Sequence, residues 1–150
     1  MKSVYDFVVA PKGERYNNTK TLEGGELILN TEIFNHEFVN REAVVTATPL
    51  VGHADIRRGD TVLVHHNVFR RWHNVKGIEK NSRSYFDDTT YFIAPDQIFL
   101  YKRDGEWICP KGYCFVMPLK AVDQFNTESE KPLQGIVKFS DGTVEVNDLV

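Results

Sequence analysis

The residues of this chain with the greatest chemical reactivity are two cysteines and a group of histidines. Cys109 and Cys114 are separated by Pro-Lys-Gly-Tyr, and His65, His66 and His73 precede them. A structural metal site needs about four thiolate or imidazole ligands, of which a cysteine pair supplies two. The histidines would complete the set only if the fold brought them to the cysteines. Two reduced thiols at the ends of neighbouring strands explain the pattern more simply, so we expect neither a metal nor a cofactor.

Motifs that carry out catalysis are missing from the sequence. It has no glycine-rich phosphate loop and no nucleophile motif, and isolated serines and histidines do not make a catalytic triad. The 18 Lys and Arg residues nearly balance the 21 Asp and Glu residues, and the net charge of -3 argues against a protein devoted to wrapping nucleic acid. We therefore predict a binding protein and not an enzyme.

Cations and aromatic residues are interleaved in residues 68–88. Surfaces of this kind bind single-stranded nucleic acid, because the cations attract phosphates and the rings stack on bases. The other interpretation, which we favour, is a solvated hairpin whose aromatic residues cap the protein core. The candidate nucleic-acid residues are Arg70, Arg71, Trp72, Lys80, Arg83, Tyr85 and Phe86.

A glycine pair followed by an aliphatic triplet forms a second candidate binding motif. The segment before it, residues 12–23, is polar and has neither helical nor alternating periodicity, which predicts a mobile segment. The triplet is either the next core strand or a contact that a flexible loop presents to a partner. The residues of the motif are Gly24, Gly25, Leu27, Ile28 and Leu29, with Glu26 between the glycines and the triplet.

The elements that would position these residues are β-strands. β-Branched and aromatic residues cluster in short runs bounded by Gly, Pro, Asn and Asp, and no helix of even three turns is indicated. Gly59-Asp60 predicts a tight turn that feeds a core strand. We expect a mainly β protein with strands at residues 4–10, 42–47, 61–64, 90–94 and 97–102.

Length and internal similarity predict the domain organisation. The 150 residues, 41% of them hydrophobic, suit one domain with an appendage. We assign residues 1–107 to the first domain and residues 108–150 to a C-terminal β extension that resembles a partial repeat of it. Residues 113–118 resemble 5–9, residues 135–137 resemble 43–45, and residues 146–150 resemble 58–62.

Targeting signals and membrane segments are not indicated. The apolar run at residues 4–10 is interrupted by Asp6 and followed by Pro11, which is unlike the core of a signal peptide. No stretch approaches the roughly 20 apolar residues of a membrane helix. We expect a cytoplasmic protein that does not contact a membrane.

The order of these features resembles that of the GroES-type co-chaperonins, especially their divergent bacteriophage relatives. The resemblance covers about the first two-thirds of the chain. It rests on the strand that ends near Pro11, the polar segment, the glycine pair with its triplet, the strand at residues 43–47, the turn at residues 59–62 and residues 95–100.

The resemblance implies an irregular GroES-like β-barrel with a mobile loop at about residues 12–30. Such subunits assemble into a homo-oligomeric ring, a heptamer, whose loops dock on a large chaperonin ring of the GroEL type and close the chamber in which client proteins fold. By resemblance, Gly24 and Gly25 are the loop glycines and Leu27, Ile28 and Leu29 the binding tripeptide. A phage-encoded protein would act in the host bacterial cytoplasm.

The chain also departs from the family. Glu26 separates the glycines from the triplet, residues 49–54 are too few for the family's roof hairpin, and residues 68–88 are longer than their counterpart. Two alternatives therefore stay open: a nucleic-acid-binding β-barrel, and a phage assembly or structural component that reuses the fold. The co-chaperonin interpretation requires an exposed triplet, whereas the nucleic-acid interpretation requires exposed aromatic residues on a basic face after Val68.

Overall fold

The protein is mainly β, as the sequence predicts. A computed structural model describes residues 1–28, 33, 35–52, 55–120 and 130–150. Within these residues the only helix is a single 3₁₀ turn, Pro95–Gln97, and no helix is long and apolar enough to cross a membrane. The strands are β1 Phe7–Pro11, β2 Thr19–Leu22, β3 Gly25–Ile28, β4 Glu42–Ala47, β5 Thr61–Val64, β6 Arg71–His73, β7 Glu79–Asn81, β8 Tyr85–Asp87, β9 Thr90–Ile93, β10 Ile98–Arg103, β11 Glu106–Ile108, β12 Cys114–Lys120 and β13 Glu130–Ser140.

Seven strands form one antiparallel sheet in the order β11-β10-β5-β4-β1-β9-β8. Non-local pairs hold its centre, with β1 between β4 and β9 and β5 between β4 and β10. Across the described residues β8 and β11 are the end strands and do not pair with each other, so no closed barrel is formed. The remaining strands make three separate hairpins, β2-β3, β6-β7 and β12-β13.

Strand alternation places the core on one face of the sheet. In β5, Val62 and Val64 are completely buried, whereas Thr61 and Leu63 are partly exposed. Two of the largest buried side chains, Phe69 and Tyr91, meet edge to face with ring centroids 4.8 Å apart. Burial raises the pKa of the Tyr91 phenol to about 12.

The turn before β5 is built as its sequence predicts. Gly59 has φ +93°, a conformation that favours glycine, and its N–H donates to the carbonyl of Val45 at 2.8 Å. The carbonyl of Asp60 accepts from the N–H of Val45 at 2.9 Å. This pair of bonds connects the turn to β4 and aligns β5 for pairing with β4.

The C-terminal hairpin reproduces this arrangement bond for bond. Asn147 N–H donates to the carbonyl of Val137 at 2.8 Å, and the carbonyl of Asp148 accepts from Val137 N–H at 3.0 Å. Asn147 has φ +75° where the first turn has Gly59. Gly135 and Val150 exchange two 2.9 Å bonds, which matches the pairing of Ala43 with Val62. Residues 135–150 therefore repeat the geometry of β4, the turn and the start of β5.

The partner strands correspond as well. In β1 and β4, Val9 pairs with Val45 and Pro11 with Ala43, after a bulge between Val8 and Val9. In the C-terminal hairpin the matching pairs are Val116 with Val137 and Pro118 with Gly135, after a bulge between Phe115 and Val116. The structural match thus aligns Val116 with Val9, one position from the alignment read from the sequence, because the two prolines occupy equivalent pairing positions.

Candidate functional site

The glycine-aliphatic motif lies on a β-hairpin. β2 and β3 pair from Thr19 with Ile28 to Leu22 with Gly25, which leaves Glu23 and Gly24 as a two-residue turn. Gly24 takes φ +120° there. Neither strand pairs with the seven-stranded sheet. The absence of regular structure predicted for residues 12–23 is therefore wrong at β2, because β3 supplies a pairing partner that the local pattern did not indicate.

The hairpin exposes its aliphatic side chains. Leu27 is 50% exposed and Ile28 is 60% exposed, and Leu22 on the opposite strand is 51% exposed. Adjacent residues of a strand project to opposite faces, so Leu27 and Ile28 present one aliphatic side chain on each face of β3. The core-strand interpretation is wrong for these two residues. Leu29 lies outside the described residues.

Tyr16 anchors the base of the hairpin. Its ring is buried, and its hydroxyl donates to the carbonyl of Ile33 at 2.9 Å while accepting from the N–H of Arg71 at 2.7 Å. An isolated bridge joins Tyr16 to Val39. The residues before and after the hairpin are thereby tied together, so β2 and β3 project from a fixed base.

Asn40 provides a second anchor. It is buried, and its amide nitrogen donates to the carbonyls of Lys12 and Glu14 at 3.1 and 2.9 Å, while its side-chain oxygen accepts from Glu42 N–H at 2.9 Å. Residues 12–16 are consequently held against the start of β4. Neither Tyr16 nor Asn40 was a candidate from the sequence, although Tyr16 is the one aromatic residue in that polar segment.

The structure assigns different surroundings to the candidate nucleic-acid residues. Arg71 forms an ion pair with Glu79 at 3.2 Å and stacks over the ring of Tyr16 at 5.0 Å. Tyr85 packs against Tyr91 with centroids 5.6 Å apart. Arg71 therefore supports the base of the β2-β3 hairpin, and Tyr85 supports the core. Phe86 is exposed and packs edge to face on Phe92 at 5.8 Å.

Three other candidates meet at one cavity. Arg70, Trp72 and Arg83 line an open cavity of about 600 Å³. Lys80 pairs across the hairpin with Trp72 but does not line the cavity. The sequence did not indicate the polar lining residues, which are Asn67, Ser82, Ser84 and Gln97. They come from three separate segments of the chain, and no local pattern marks them.

The cavity has an electropositive wall. Two of its lining side chains are arginines and none is a carboxylate. The Nε atom of Arg70 is buried and has no hydrogen-bond partner among the described residues. Since buried N–H groups are nearly always paired, an unpaired donor on a residue that lines the cavity is a candidate contact for a ligand acceptor.

The histidines and cysteines form separate groups. His65 and His66 have ring centroids 4.2 Å apart, and His36 lies 5.4 Å from His66. Burial, followed by the positive potential of neighbouring histidines and arginines, lowers the pKa of His66. The Cys109 thiol donates to the carbonyl of Tyr113 at 3.0 Å. In the part of the chain that is described, no three His, Cys, Asp or Glu side chains are grouped as metal ligands would be.

Comparison with known proteins gives no relative. A scan against protein-family models found no match, and searches of curated proteins and of solved structures likewise found none.

Proposed function

We propose that this protein is a co-chaperonin that forms an oligomeric ring and docks on a large chaperonin ring through the β2-β3 hairpin. The observation that carries the proposal is the exposure of Leu27 and Ile28 on a hairpin whose base is fixed by Tyr16. The order of sequence motifs, which resembles that of GroES-type proteins, supports the same role. Under this proposal the seven-stranded sheet corresponds to the family's irregular barrel.

The energetics of the hairpin suit a multivalent contact. Burying one aliphatic side chain stabilises a complex by about 1.5–3 kcal/mol, and ordering the hairpin and losing rotational freedom offset much of that gain. One hairpin therefore binds weakly. Several hairpins on one ring bind together through their high effective concentration, and they still release when the chaperonin changes state.

An exposed apolar patch supports assembly into a ring. Backbone bonds of 3.1 and 3.0 Å from Leu50 and Val51 to the carbonyls of Ser3 and Val4 hold the loop after β4 against the N-terminal segment. The side chains of Val4, Leu50 and Val51 are about half exposed or more. Apolar surface of this kind marks contacts between subunits. By analogy with the family, the ring has seven subunits, and its partners are a GroEL-type chaperonin and client proteins in a bacterial cytoplasm.

The test combines mass and binding. The purified protein is sized by light scattering and then mixed with bacterial GroEL with and without ATP, and the wild type is compared with Leu27→Ser/Ile28→Ser. We expect a ring of several subunits that binds only with nucleotide, and a loss of about tenfold or more in affinity for the variant, because two apolar contacts are removed.

The matched control is Val146→Ser/Leu149→Ser, which removes two exposed aliphatic side chains away from the hairpin. It should bind GroEL as the wild type does. A monomer that ignores the chaperonin would contradict the proposal. A ring that forms normally without binding any chaperonin would instead favour an assembly or structural component.

A further inference from the structure

We propose that the cavity lined by Arg70, Trp72 and Arg83 binds a nucleotide unit, with the arginines on its phosphate and Trp72 on its base. This site lies outside the β2-β3 hairpin and does not depend on the co-chaperonin function. It narrows the broad basic surface expected from residues 68–88 to one cavity with a defined ligand chemistry.

Charge identifies the phosphate half of the ligand. A cavity with two arginines and no carboxylate in its lining attracts an anion. The guanidinium fork matches the oxygens of a phosphate and donates more than one hydrogen bond to it. The buried Nε of Arg70, which lacks a partner within the described residues, needs an acceptor of this kind. The Nε of Arg71 is likewise buried without a partner among the described residues, but Arg71 does not line the cavity and its Nη1 is paired with Glu79 at 3.2 Å.

Trp72 indicates that the ligand also contains a planar ring, a nucleobase. Its indole is 44% exposed although it lies on a strand, β6, and lines the cavity. An exposed indole beside arginines stacks on a nucleobase, because every base offers a π face. Two neighbouring polar side chains are held in place, since Ser82 Oγ donates to the carbonyl of Val68 at 2.5 Å and Gln97 Oε1 accepts from Ala94 N–H at 3.1 Å. The cavity wall is therefore preorganised.

Size agrees with this ligand. The volume of about 600 Å³ falls within the roughly 300–1,000 Å³ of small-ligand sites. A free nucleotide and one nucleotide of a single strand present the same phosphate and base, and the open cavity admits either. The experiment therefore includes both sources.

The test measures binding of ATP, of a fluorescein-labelled ten-nucleotide oligouridylate and of inorganic phosphate at low salt. Quenching of Trp72 is followed in a Trp107→Phe background, because Trp72 and Trp107 are the two tryptophans of the chain. We expect saturable quenching by ATP, by the oligonucleotide or by both, and the tighter of the two identifies the source. Arg70→Gln/Arg83→Gln should weaken that binding about tenfold or more. Trp72→Ala lacks the fluorescent reporter, so its affinity is compared with that of the wild type by isothermal titration calorimetry, and it should be at least about fivefold weaker.

Two controls make the result specific. Arg58→Gln/Lys138→Gln removes the same charge from exposed positions elsewhere and should leave affinity within about twofold, whereas equal losses in both pairs would reveal non-specific attraction and overturn the proposal. Leu27→Ser/Ile28→Ser should bind nucleotide as the wild type does, which separates this site from the hairpin. Absence of saturable binding by either nucleotide probe, or inorganic phosphate binding as tightly as ATP, would also overturn it.

Discussion

At the scale of single residues, the ion pair of Asp60 with Arg103 joins the turn before β5 to β10. The Nη2 atom of Arg103 lies 2.6 Å from Asp60 Oδ2, and the N–H of Arg57 donates to the same oxygen at 2.8 Å. Burial opposes ionisation of Asp60, but the hydrogen bonds and charges of the two arginines outweigh it and lower the pKa of the carboxyl. The charged form of Asp60 therefore stabilises the folded state.

Asp60→Asn should lower the free energy of unfolding at pH 7 by about 2 kcal/mol, less than for a fully buried pair because Arg103 is partly solvated. Because the folded pKa lies below the unfolded value, the stabilisation is complete above about pH 5 and is lost as the pH falls through the folded pKa. The difference in free energy of unfolding between the wild type and Asp60→Asn should therefore shrink as the pH falls. Urea unfolding from pH 7 to pH 3 measures it.

The control for this prediction is Asp148→Asn, since Asp148 is the exposed counterpart of Asp60 in the C-terminal repeat. Its effect should stay within about 0.5 kcal/mol at every pH. An equal pH dependence in Asp60→Asn and the wild type would show that the ion pair does not contribute.

At the scale of elements, β12, β13 and the C-terminal turn repeat the geometry of β1, β4 and the Gly59 turn, but with different side chains. Gly135 in β13 occupies the position that corresponds to the buried Ala43 in β4. A Cβ atom on Gly135 would lie 2.2 Å from Val116 Cγ1 and 2.7 Å from the carbonyl oxygen of Met117. The two strands of the C-terminal hairpin therefore approach too closely at this point for any side chain.

Gly135→Ala should destabilise the C-terminal hairpin by about 1–3 kcal/mol, because the Met117 backbone must move to admit the methyl group. Amide exchange measured by NMR should show faster exchange at Val137 and Val150 and unchanged protection in β1, β4 and β5. Gln134→Ala, at the exposed neighbouring position of β13, should change nothing. Unaltered protection at Val150 in Gly135→Ala would contradict the prediction.

At the scale of the whole molecule, exposed apolar side chains lie in several regions, and two of these regions bear on the proposed function. The hairpin carries Leu27 and Ile28, and the N-terminal segment with the loop after β4 carries Tyr5, Leu50 and Val51. Apolar patches on a soluble surface mark binding sites. We propose that the hairpin contacts the chaperonin and that the N-terminal segment with the loop after β4 contacts a neighbouring subunit.

Tyr5→Ser/Leu50→Ser should therefore shift the proposed ring to smaller species, because the proposed contact between subunits loses its apolar side chains. Light scattering over a range of protein concentrations measures the shift. The thermal midpoint extrapolated to low concentration should remain near that of the wild type, since both side chains are more than 60% exposed. An unchanged mass would place the subunit interface elsewhere.

Local chemistry in the sequence predicted much of this architecture. The β-branched run at β5 and the Gly59-Asp60 turn lie where expected, because alternation and a positive φ depend on neighbouring residues only. Of the candidate sites, Leu27 and Ile28 are exposed as the co-chaperonin interpretation requires. The pattern could not separate exposure from burial, since an aliphatic strand suits a core equally well.

The sequence by itself therefore determined the β class, the principal strands and the residues worth testing. Only the tertiary structure decided the strand order and the anchoring of the hairpin. It also decided that Arg70 and Arg83 line one cavity whereas Arg71 pairs with Glu79. The physical reason is that each of these depends on contacts between residues far apart in the chain. The bond between the Tyr16 hydroxyl and Arg71 N–H, which spans 55 positions, is one such contact.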